Sequence, residues 1–207
     1  MLKSRYGNNS EEIQVGLDEA GRGCMIGSVF AGAVIWDPTV DPWEIKDSKK
    51  LTRKKRKIVK EYIEENAIAW SVGSATNEEI DEMNILNATY LAMHRALSNI
   101  SKPFDRVLVD GNRFKPYQCI PHVCIVSGDN EYVSIAAASI LAKEYHDDWI
   151  NNLFNPTSET FIPLFSLNND VYDLNNNKGY GTKKHIQAIR QFGITNQHRS
   201  SYCKKFI

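Results

Sequence analysis

The chain lacks the long apolar runs that membrane-spanning helices require. No stretch of about 18 consecutive apolar residues occurs in the sequence. The opening segment MLKSRYGNNSEE has no apolar stretch of the kind found in secretory signals. The four cysteines show no CxxC spacing, so neither a zinc motif nor a disulfide framework is indicated. We therefore expect one globular domain, 1–207, in the cytoplasm, with reduced thiols and no membrane association.

The sequence also lacks net charge, because 25 Lys and Arg residues balance 25 Asp and Glu residues. The charges are unevenly distributed. Residues 46–60, KDSKKLTRKKRKIVK, carry nine basic side chains and one acidic side chain. Such a basic segment permits a surface that binds a polyanion, and an ordinary solvated helix face is the alternative.

The pattern of apolar residues predicts an α/β fold. The early strands are close enough in sequence to pair antiparallel, whereas the later ones need crossover connections, so the sheet should be mixed. Residues 1–12 are interpreted as an N-terminal tail, and residues 151–177, rich in Asn, as a long irregular loop or insertion. The predicted strands are 13–20, 28–36, 68–76, 106–111 and 122–129, and the predicted helices run from 53 to about 66, from 77 to about 98, over 130–150 and over 181–193.

Local signals mark the ends of these helices. Thr52 and Thr76 are predicted N-caps, the second forming a capping box with Glu79, and Gly193 is a predicted stop. The first helix has a predicted apolar stripe formed by Ile58, Val59, Tyr62 and Ile63.

Acidic residues stand at the predicted ends of three strands. Asp18 and Glu19 lie at the end of the first, Asp110 at the end of the fourth and Asp129 at the end of the fifth. Sites in open α/β sheets form at these carboxyl ends, and four carboxylates gathered there would repel one another without a bound cation. Oxygen-only ligands favour Mg²⁺ or Mn²⁺. Taken singly, each acid has an alternative role as a turn or cap residue.

Two divalent ions about 3.5–4 Å apart can clamp the attacking and leaving oxygens of a phosphodiester. The residues by themselves therefore predict metal-dependent phosphoryl transfer beside a basic segment, and a nuclease is the obvious candidate. A binding or scaffold protein without catalysis is one alternative. A Mg²⁺-dependent enzyme acting on a small phosphorylated metabolite is another, but it would leave the basic segment unexplained and show no strongly salt-dependent affinity for duplexes.

Seven motifs occur in the order found in the type 2 ribonuclease H, or ribonuclease HII, family. They are GLDEAGRG (16–23), DSKKLT (47–52), ILNATYLAMHRAL (85–97), LVDGN (108–112), GDNEYVSIAAASILAK (128–143), KGYGTKKHIQAI (178–189) and HRSSY (198–202). The resemblance implies a ribonuclease H-like fold, a mixed five-stranded sheet flanked by helices, with a C-terminal helical extension. It implies an endoribonuclease that hydrolyses the RNA strand of RNA–DNA hybrids and cuts 5′ of single ribonucleotides in duplex DNA, leaving 5′-phosphate and 3′-hydroxyl ends. The implied cellular role is removal of misincorporated ribonucleotides and RNA primers.

The resemblance also assigns the acids a role. It implies that Asp18, Glu19, Asp110 and Asp129 are the catalytic, metal-binding carboxylates, with Mg²⁺ or Mn²⁺ as the cofactor. It further implies that the chain bends after Glu19 and so brings both members of the acid pair to one metal site.

Further residues match substrate-binding positions of the family. Gly21, Arg22 and Gly23 match the loop that reads the ribose 2′-OH, the group that distinguishes RNA from DNA. Tyr180 matches a tyrosine that packs on the sugar, although an ordinary loop aromatic is the alternative. Lys49, Ser139 and Lys143 match family positions near the nucleic-acid backbone.

Some positions depart from the family pattern. Ser127 and His146 stand where family members often carry Lys and Arg, and Tyr172 is the counterpart of a longer aromatic element. Asp147 lies more than about 20 Å along its helix from the residues after Asp129, at ~1.5 Å per residue, so we assign it a structural role. The resemblance implies RNA–DNA hybrids and ribonucleotide-containing duplex DNA as partners of a monomer, and no protein partner is indicated.

Overall fold

The computed structural model describes residues 2–153 and 170–207, so the middle of the predicted loop 151–177 lies outside the described residues. The strands are β1 (Gln14–Ala20), β2 (Val29–Ile35), β3 (Ala69–Ala75), β4 (Arg106–Asp110) and β5 (His122–Ile125). The helices are α1 (Arg53–Asn66), α2 (Asn77–Met83), α3 (Ile85–Asn99), α4 (Val133–Asn152), α5 (Leu174–Asn177), α6 (Lys183–Phe192) and α7 (Ser200–Cys203). Two single 3₁₀ turns, Ser48–Lys50 and Gly128–Asn130, lie near the sheet.

The five strands form one mixed sheet in the order β3-β2-β1-β4-β5. The pairs β1–β2 and β2–β3 are antiparallel, whereas β1–β4 and β4–β5 are parallel. The prediction of a mixed five-stranded sheet flanked by helices is confirmed. β1 is the central strand, so its carboxyl end lies beside the carboxyl end of β4.

Helix α4 lies unusually close to one face of the sheet because the facing strand residues are glycines. A Cβ atom added at Gly16 would overlap the backbone of α4, and one at Gly32 would overlap the backbone of Ala138. The helix advances along β1 in the direction of that strand. It therefore brings Ser139 and Lys143 to the carboxyl end of β1, where the acidic pair lies.

Helix α3 covers the opposite face, and its buried alanines Ala88, Ala92 and Ala96 share one apolar cluster with Leu17 and Val109. A separate cluster joins the end of α4 to α5 and α6, and its buried members include Ile26, Ile150, Tyr172, Leu174 and Ile189. This second cluster is the core of the C-terminal helical extension. None of the helices in the two described ranges is both long and apolar enough to cross a membrane.

The predicted helix ends are confirmed. The Thr52 side chain accepts a hydrogen bond from Lys55 N, and Thr76 forms the predicted capping box with Glu79. Gly193 follows the last residue of α6. Short-range capping of this kind depends on neighbouring residues alone, which is why it could be recognised in the sequence.

Three local predictions are wrong. The helix expected from 77 to about 98 is broken at Asn84, whose φ of 69° leaves the helical region and whose side chain caps α3. Ile58 is 44% exposed, because α1 buries the face that carries Val59 and Ile63 instead. The two ends of the predicted loop 151–177 are helical, since α4 extends to Asn152 and 174–177 form α5.

The fifth strand is shorter than predicted, and this moves an acidic residue. β5 ends at Ile125, and Ser127 adopts a left-handed conformation with φ 58°. Asp129 therefore lies in the following 3₁₀ turn instead of at the end of a strand. A single left-handed residue redirects the chain in a way that apolar periodicity does not reveal.

Candidate active site

Asp18 and Asp110 occupy neighbouring positions on the two central strands. The residues just before them, Leu17 and Val109, are register partners in the parallel β1–β4 pair. Asp18 is buried, and burial raises the pKa of its carboxyl group well above the usual range. The negative charges of Glu19 and Asp110 raise the pKa of Asp18 further. The edge of the sheet thus holds concentrated negative charge.

Asp129 belongs to the same acidic cluster through the turn that carries it. The Asp110 carboxylate accepts a 2.7 Å hydrogen bond from Gly128 N, which ties this turn to the end of β4. Burial raises the pKa of Asp129, and the charge of Asp110 raises it further. Burial also raises the pKa of Asp110, while the positive charge of Lys49 lowers both values. The three carboxylates and Lys49 therefore act on one another electrostatically.

Glu19 is oriented differently from Asp18. β1 continues through Ala20, so the expected bend after Glu19 is wrong and side chains of the acid pair alternate between the faces of the sheet. Glu19 lies on the α3 side, where its carboxylate pairs with the Arg22 guanidinium at 2.9 Å. Within residues 2–153 and 170–207, no three His, Cys, Asp or Glu side chains converge closely enough to hold a metal ion. The acids share one edge of the sheet without forming a closed coordination shell.

Most of the predicted site residues line one cleft of about 180 Å³ at this edge. Its lining consists of Asp18, Glu19, Ala20, Ser48, Lys49, Arg56, Asp110, Ser139, Lys143 and Tyr180. Asp129 and the loop from Gly21 to Gly23 lie outside this lining. A neighbouring cleft of about 400 Å³ on the α3 side shares Glu19 and Asp110 and includes Arg22. Glu19 and Asp110 therefore line both clefts.

Lys49 is positioned by the 3₁₀ turn Ser48–Lys50. The Asp47 side chain caps this turn by accepting a 2.9 Å hydrogen bond from Lys49 N. The Ser48 hydroxyl group lies 2.8 Å from the Ser139 hydroxyl group, which joins the turn to α4. The motif residues 47–50 thus place one basic side chain opposite the acids.

The loop that contains Gly21, Arg22 and Gly23 rests on buried side chains from distant parts of the chain. Gly21 has φ 87°, and a Cβ atom there would overlap the ring of His146. A Cβ atom on Gly23 would contact the Tyr180 ring at 3.4 Å. In the sequence, His146 stands out only because family members often carry Arg at this position. Its packing beneath the glycine loop could not be predicted from the sequence.

Tyr180 is half-exposed, with its ring between the glycine loop and α4. Lys143 Nζ lies 5.5 Å from the centre of the ring. Burial raises the pKa of the Tyr180 hydroxyl group to about 12. The backbone carbonyl of Tyr180 accepts a 3.0 Å hydrogen bond from His185 Nδ1, which fixes the segment behind the ring.

A buried ion-pair network supports the wall of the cleft. The Arg56 guanidinium pairs with Glu144 and, at 3.3 Å, with Asp147. Lys143 donates a 2.8 Å hydrogen bond to Asp147. Burial alone would raise the pKa of Asp147, but hydrogen bonds from His146 and Lys143 hold it below the usual range. Arg56 was missed as a site residue because the sequence shows it only as one of nine similar basic residues.

Comparisons with known proteins place this geometry in context. The sequence model of the family described as Ribonuclease HII matches residues 15–205. Ribonuclease HII of Phocaeicola vulgatus is 50% identical over 194 residues, which cover 94% of this chain and 90% of that protein. Ribonuclease HII of Bacteroides thetaiotaomicron is 48% identical over 94% of this chain and 91% of its own length.

Solved structures with little sequence identity share the fold. Ribonuclease H2 from Pyrococcus horikoshii superposes with a TM-score of 0.70 at 23% identity, over 93% of this chain and 96% of that chain. The ribonuclease HII of Archaeoglobus fulgidus, solved in a complex with PCNA, superposes with a TM-score of 0.68 at 21% sequence identity. The match covers 90% of this chain and 93% of that chain. Bst-RNase HIII in complex with Mn²⁺ superposes with a TM-score of 0.64 at 19% sequence identity, and the match covers 88% of this chain and 63% of that chain. These structures have the ribonuclease H-like fold.

Proposed function

Because the chain belongs to the ribonuclease HII family, we propose that it hydrolyses the RNA strand of RNA–DNA hybrids and cuts 5′ of single ribonucleotides in duplex DNA. It is a ribonuclease H enzyme of type 2. The observation that carries the proposal is the cleft itself. Asp18, Glu19 and Asp110 line it together with Lys49 and Tyr180, so acidic, basic and aromatic groups meet in one place.

The acidic cluster suits a divalent cation in its donor chemistry. All four candidate ligands, Asp18, Glu19, Asp110 and Asp129, offer carboxylate oxygens, which Mg²⁺ and Mn²⁺ prefer. Burial first, and then the negative charges of neighbouring carboxylates, raise the pKa values of Asp18, Asp110 and Asp129, and a bound cation would favour the ionised forms against both effects. Divalent ions bound there would supply charge neutralisation at the phosphodiester and activation of water. Glu19, whose carboxylate pairs with the Arg22 guanidinium, would have to give up this ion pair to act as a ligand.

The other side chains have roles that follow from their positions. When Glu19 turns away, the Arg22 guanidinium becomes available as a fork for a substrate phosphate. Lys49 and Lys143 line the cleft as positive charges for the nucleic-acid backbone. The Tyr180 ring offers a flat apolar surface for a sugar beside the glycine loop. The products are a 5′-phosphate and a 3′-hydroxyl end, because the 2′-OH is recognised and does not attack.

In the cell, the proposed activity removes misincorporated ribonucleotides and RNA primers. We propose that the enzyme acts as a monomer, since one chain supplies every residue of the cleft described above. The substrate then needs to contact only a single acidic edge and the adjacent basic segment.

The first test uses a 5′-labelled DNA duplex that contains one ribonucleotide, incubated with Mg²⁺, Mn²⁺ or EDTA. We expect metal-dependent cleavage immediately 5′ of the ribonucleotide, with an all-DNA duplex left intact. Cleavage of long RNA tracts alone would show that the acids work without recognition of a single ribose.

Two controls accompany this test: a duplex with the ribonucleotide in the other strand, and an analysis of the product ends. The same duplex with the ribonucleotide in the complementary strand should move the cut to that strand. A 2′,3′-cyclic phosphate at the product end would contradict the mechanism, because it would mean that the 2′-OH had attacked. Absence of cleavage with either ion, in protein shown to be folded, would favour the binding-protein alternative.

A further inference from the structure

Arg199 is a buried side chain with an unusual set of partners. It is fully buried, and it lies in the C-terminal segment between α6 and α7. Its Nε atom donates a 2.8 Å hydrogen bond to the carbonyl of Gly27, and its Nη1 atom donates a 3.0 Å hydrogen bond to the carbonyl of Arg22. Within the described residues, no carboxylate pairs with this guanidinium and its Nη2 atom has no hydrogen-bond partner. Burial of such a cation costs stability, and the groups that offset this cost are two backbone carbonyls and the Tyr202 ring, whose centre lies 5.4 Å from the guanidinium carbon.

The carbonyl oxygen of Arg22 already accepts two hydrogen bonds on the inner side of the loop. It accepts hydrogen bonds from Arg199 and, at 3.0 Å, from the Tyr202 hydroxyl group. A carbonyl oxygen has two lone pairs, so this group has no capacity left for a substrate. The C-terminal segment therefore determines which way the peptide between Arg22 and Gly23 faces.

The orientation of that peptide determines where its N–H group points. In a planar trans peptide the C=O and N–H groups point in opposite directions. Because Arg199 and Tyr202 hold the Arg22 carbonyl inwards, the Gly23 N–H group faces outwards. No acceptor for Gly23 N occurs among residues 2–153 and 170–207. The Tyr180 ring, which we propose as the sugar surface, lies beside Gly23.

We propose that Arg199 is a positioning residue for ribose recognition, which holds the Arg22–Gly23 peptide so that the Gly23 N–H group donates to the oxygen of the ribose 2′-OH. The inference rests on the proposed function and adds a specificity-determining residue to it. Tyr202 assists through its second hydrogen bond to the same carbonyl. A site built to hydrogen-bond a hydroxyl group discriminates against a sugar that lacks it, because the donor is then left unpaired.

The test compares the full-length protein with Arg199→Lys and Tyr202→Phe. The two substrates are duplexes identical except for one sugar, which is either ribose or 2′-fluoro-2′-deoxyribose. We expect Arg199→Lys to reduce kcat/KM on the ribose duplex about tenfold more than on the fluoro duplex, a difference of about 1.4 kcal/mol. Tyr202→Phe should produce a smaller change in the same direction. Without metal, in EDTA, the preference of Arg199→Lys for binding the ribose duplex over all-DNA duplex should fall in parallel.

A matched control lies in the same segment. The Asp81 carboxylate anchors the start of α7 by accepting hydrogen bonds from the backbone of Ser200 and Ser201. Asp81→Asn should weaken this anchor at the start of α7 while leaving the hydrogen bonds of Arg199 and Tyr202 to the Arg22 carbonyl in place, so the ratio between the two duplexes should not change. Thermal unfolding of each variant checks that it is folded.

The outcomes separate the inference from the proposed function. Equal loss on both duplexes in Arg199→Lys and Tyr202→Phe would overturn the positioning role and leave a structural one. If Arg199→Lys fails to fold, Tyr202→Phe decides, and an unchanged ratio overturns the proposal. If the parent protein itself shows no preference for the ribose duplex, the proposed function fails before Arg199 is tested.

Discussion

At the scale of single residues, Asp110 links Asp18 to the turn that carries Asp129. It lies beside Asp18 on the neighbouring strand, and its carboxylate receives the N–H group of Gly128 and thereby holds the turn that carries Asp129. The effect of its charge on the pKa of Asp18 and of Asp129 shows that it acts on both. A change at this residue should therefore separate chemistry from binding.

Asp110→Asn should lower turnover by about 10²-fold or more, as does the removal of other groups that stabilise a transition state. The amide oxygen can still accept the Gly128 hydrogen bond, so the fold is retained while the charge is lost. Turnover and hybrid affinity in EDTA are measured in parallel, and affinity should not weaken. Asp148→Asn is the control, because Asp148 is a half-buried acid on the same helix α4 and pairs with Lys57 and Lys60. Equal losses in both variants would count against the assignment.

Tyr180 is predicted to matter most where a single ribose must be recognised. Its ring lies against Gly23 and beside Lys143. Tyr180→Ala, and less strongly Tyr180→Phe, should lower kcat/KM more on single ribonucleotides than on long hybrids, because long hybrids offer many alternative cleavage positions. Phe192→Ala, at a half-exposed aromatic on α6, should leave both rates unchanged. A uniform loss on both substrates in Tyr180→Ala would refute a role specific to the junction.

At the scale of elements, two buried histidines connect α6 to the C-terminal segment. Thr195 N donates to His198 Nδ1, so the proton of His198 lies on Nε2, which faces His185 Nε2 at 3.1 Å. His185 therefore carries its proton on Nδ1 and donates to the carbonyl of Tyr180. This chain of hydrogen bonds exists only while both rings are neutral.

The histidine pair predicts a loss of stability in acid. Burial lowers the pKa of His185, and burial together with the charge of His185 lowers the pKa of His198 to about 3. The unfolded histidines bind protons below about pH 6.5, where the folded His198 stays neutral and the folded His185 binds a proton less readily. The stability that the pair contributes is therefore complete above that value and falls as the pH drops towards about 3, the pKa of folded His198. His198 should lower the free energy of unfolding by up to about 1.4 kcal/mol per pH unit in this window, and His185 contributes with the same sign.

Urea unfolding between pH 7 and pH 4 measures this slope. His198→Asn removes one of the two titrating groups while keeping an acceptor near Thr195 N, so its stability should depend less steeply on pH than that of the parent. An identical slope in the two proteins would show that the buried pair does not control acid stability.

At the scale of the whole molecule, the basic segment 46–60 is partly neutralised by the fold. Among the described residues, acidic partners pair with Lys46, Lys55, Arg56, Lys57 and Lys60. Within residues 2–153 and 170–207, Lys49, Lys50, Arg53 and Lys54 form no ion pair with an acidic side chain, although the charge of Lys49 acts on Asp110 and Asp129. The charge that the segment offers to a polyanion is therefore smaller than its composition suggests.

This partition predicts the salt dependence of hybrid binding. The double variant Arg53→Ala/Lys54→Ala should reduce the slope of log affinity against log salt concentration by about two, since each phosphate contact contributes about 0.9. Lys60→Ala should change it little, because Lys60 is held by Glu64 and Asp148 and lies 4.2 Å from the centre of the Tyr145 ring. If both variants changed the salt slope equally, the division of the segment into paired and unpaired basic residues would be contradicted.

The sequence by itself determined the elements and the kind of chemistry. The cap at Thr52 and the capping box at Thr76 depend on adjacent residues, and the positions of Asp18 and Asp110 follow from the ends of apolar strands, so all of these could be predicted. The motif order also identified the family, which relatives of about half identity confirm.

Only the tertiary structure decided how the site is held. The pairing of Glu19 with Arg22, the packing of His146 beneath Gly21 and the anchoring of the Arg22 carbonyl by Arg199 each join residues through the folded chain. His146 lies 125 positions after Gly21 and Arg199 lies 177 positions after Arg22. No local periodicity or spacing encodes such contacts, because they arise from packing between elements that meet only after folding.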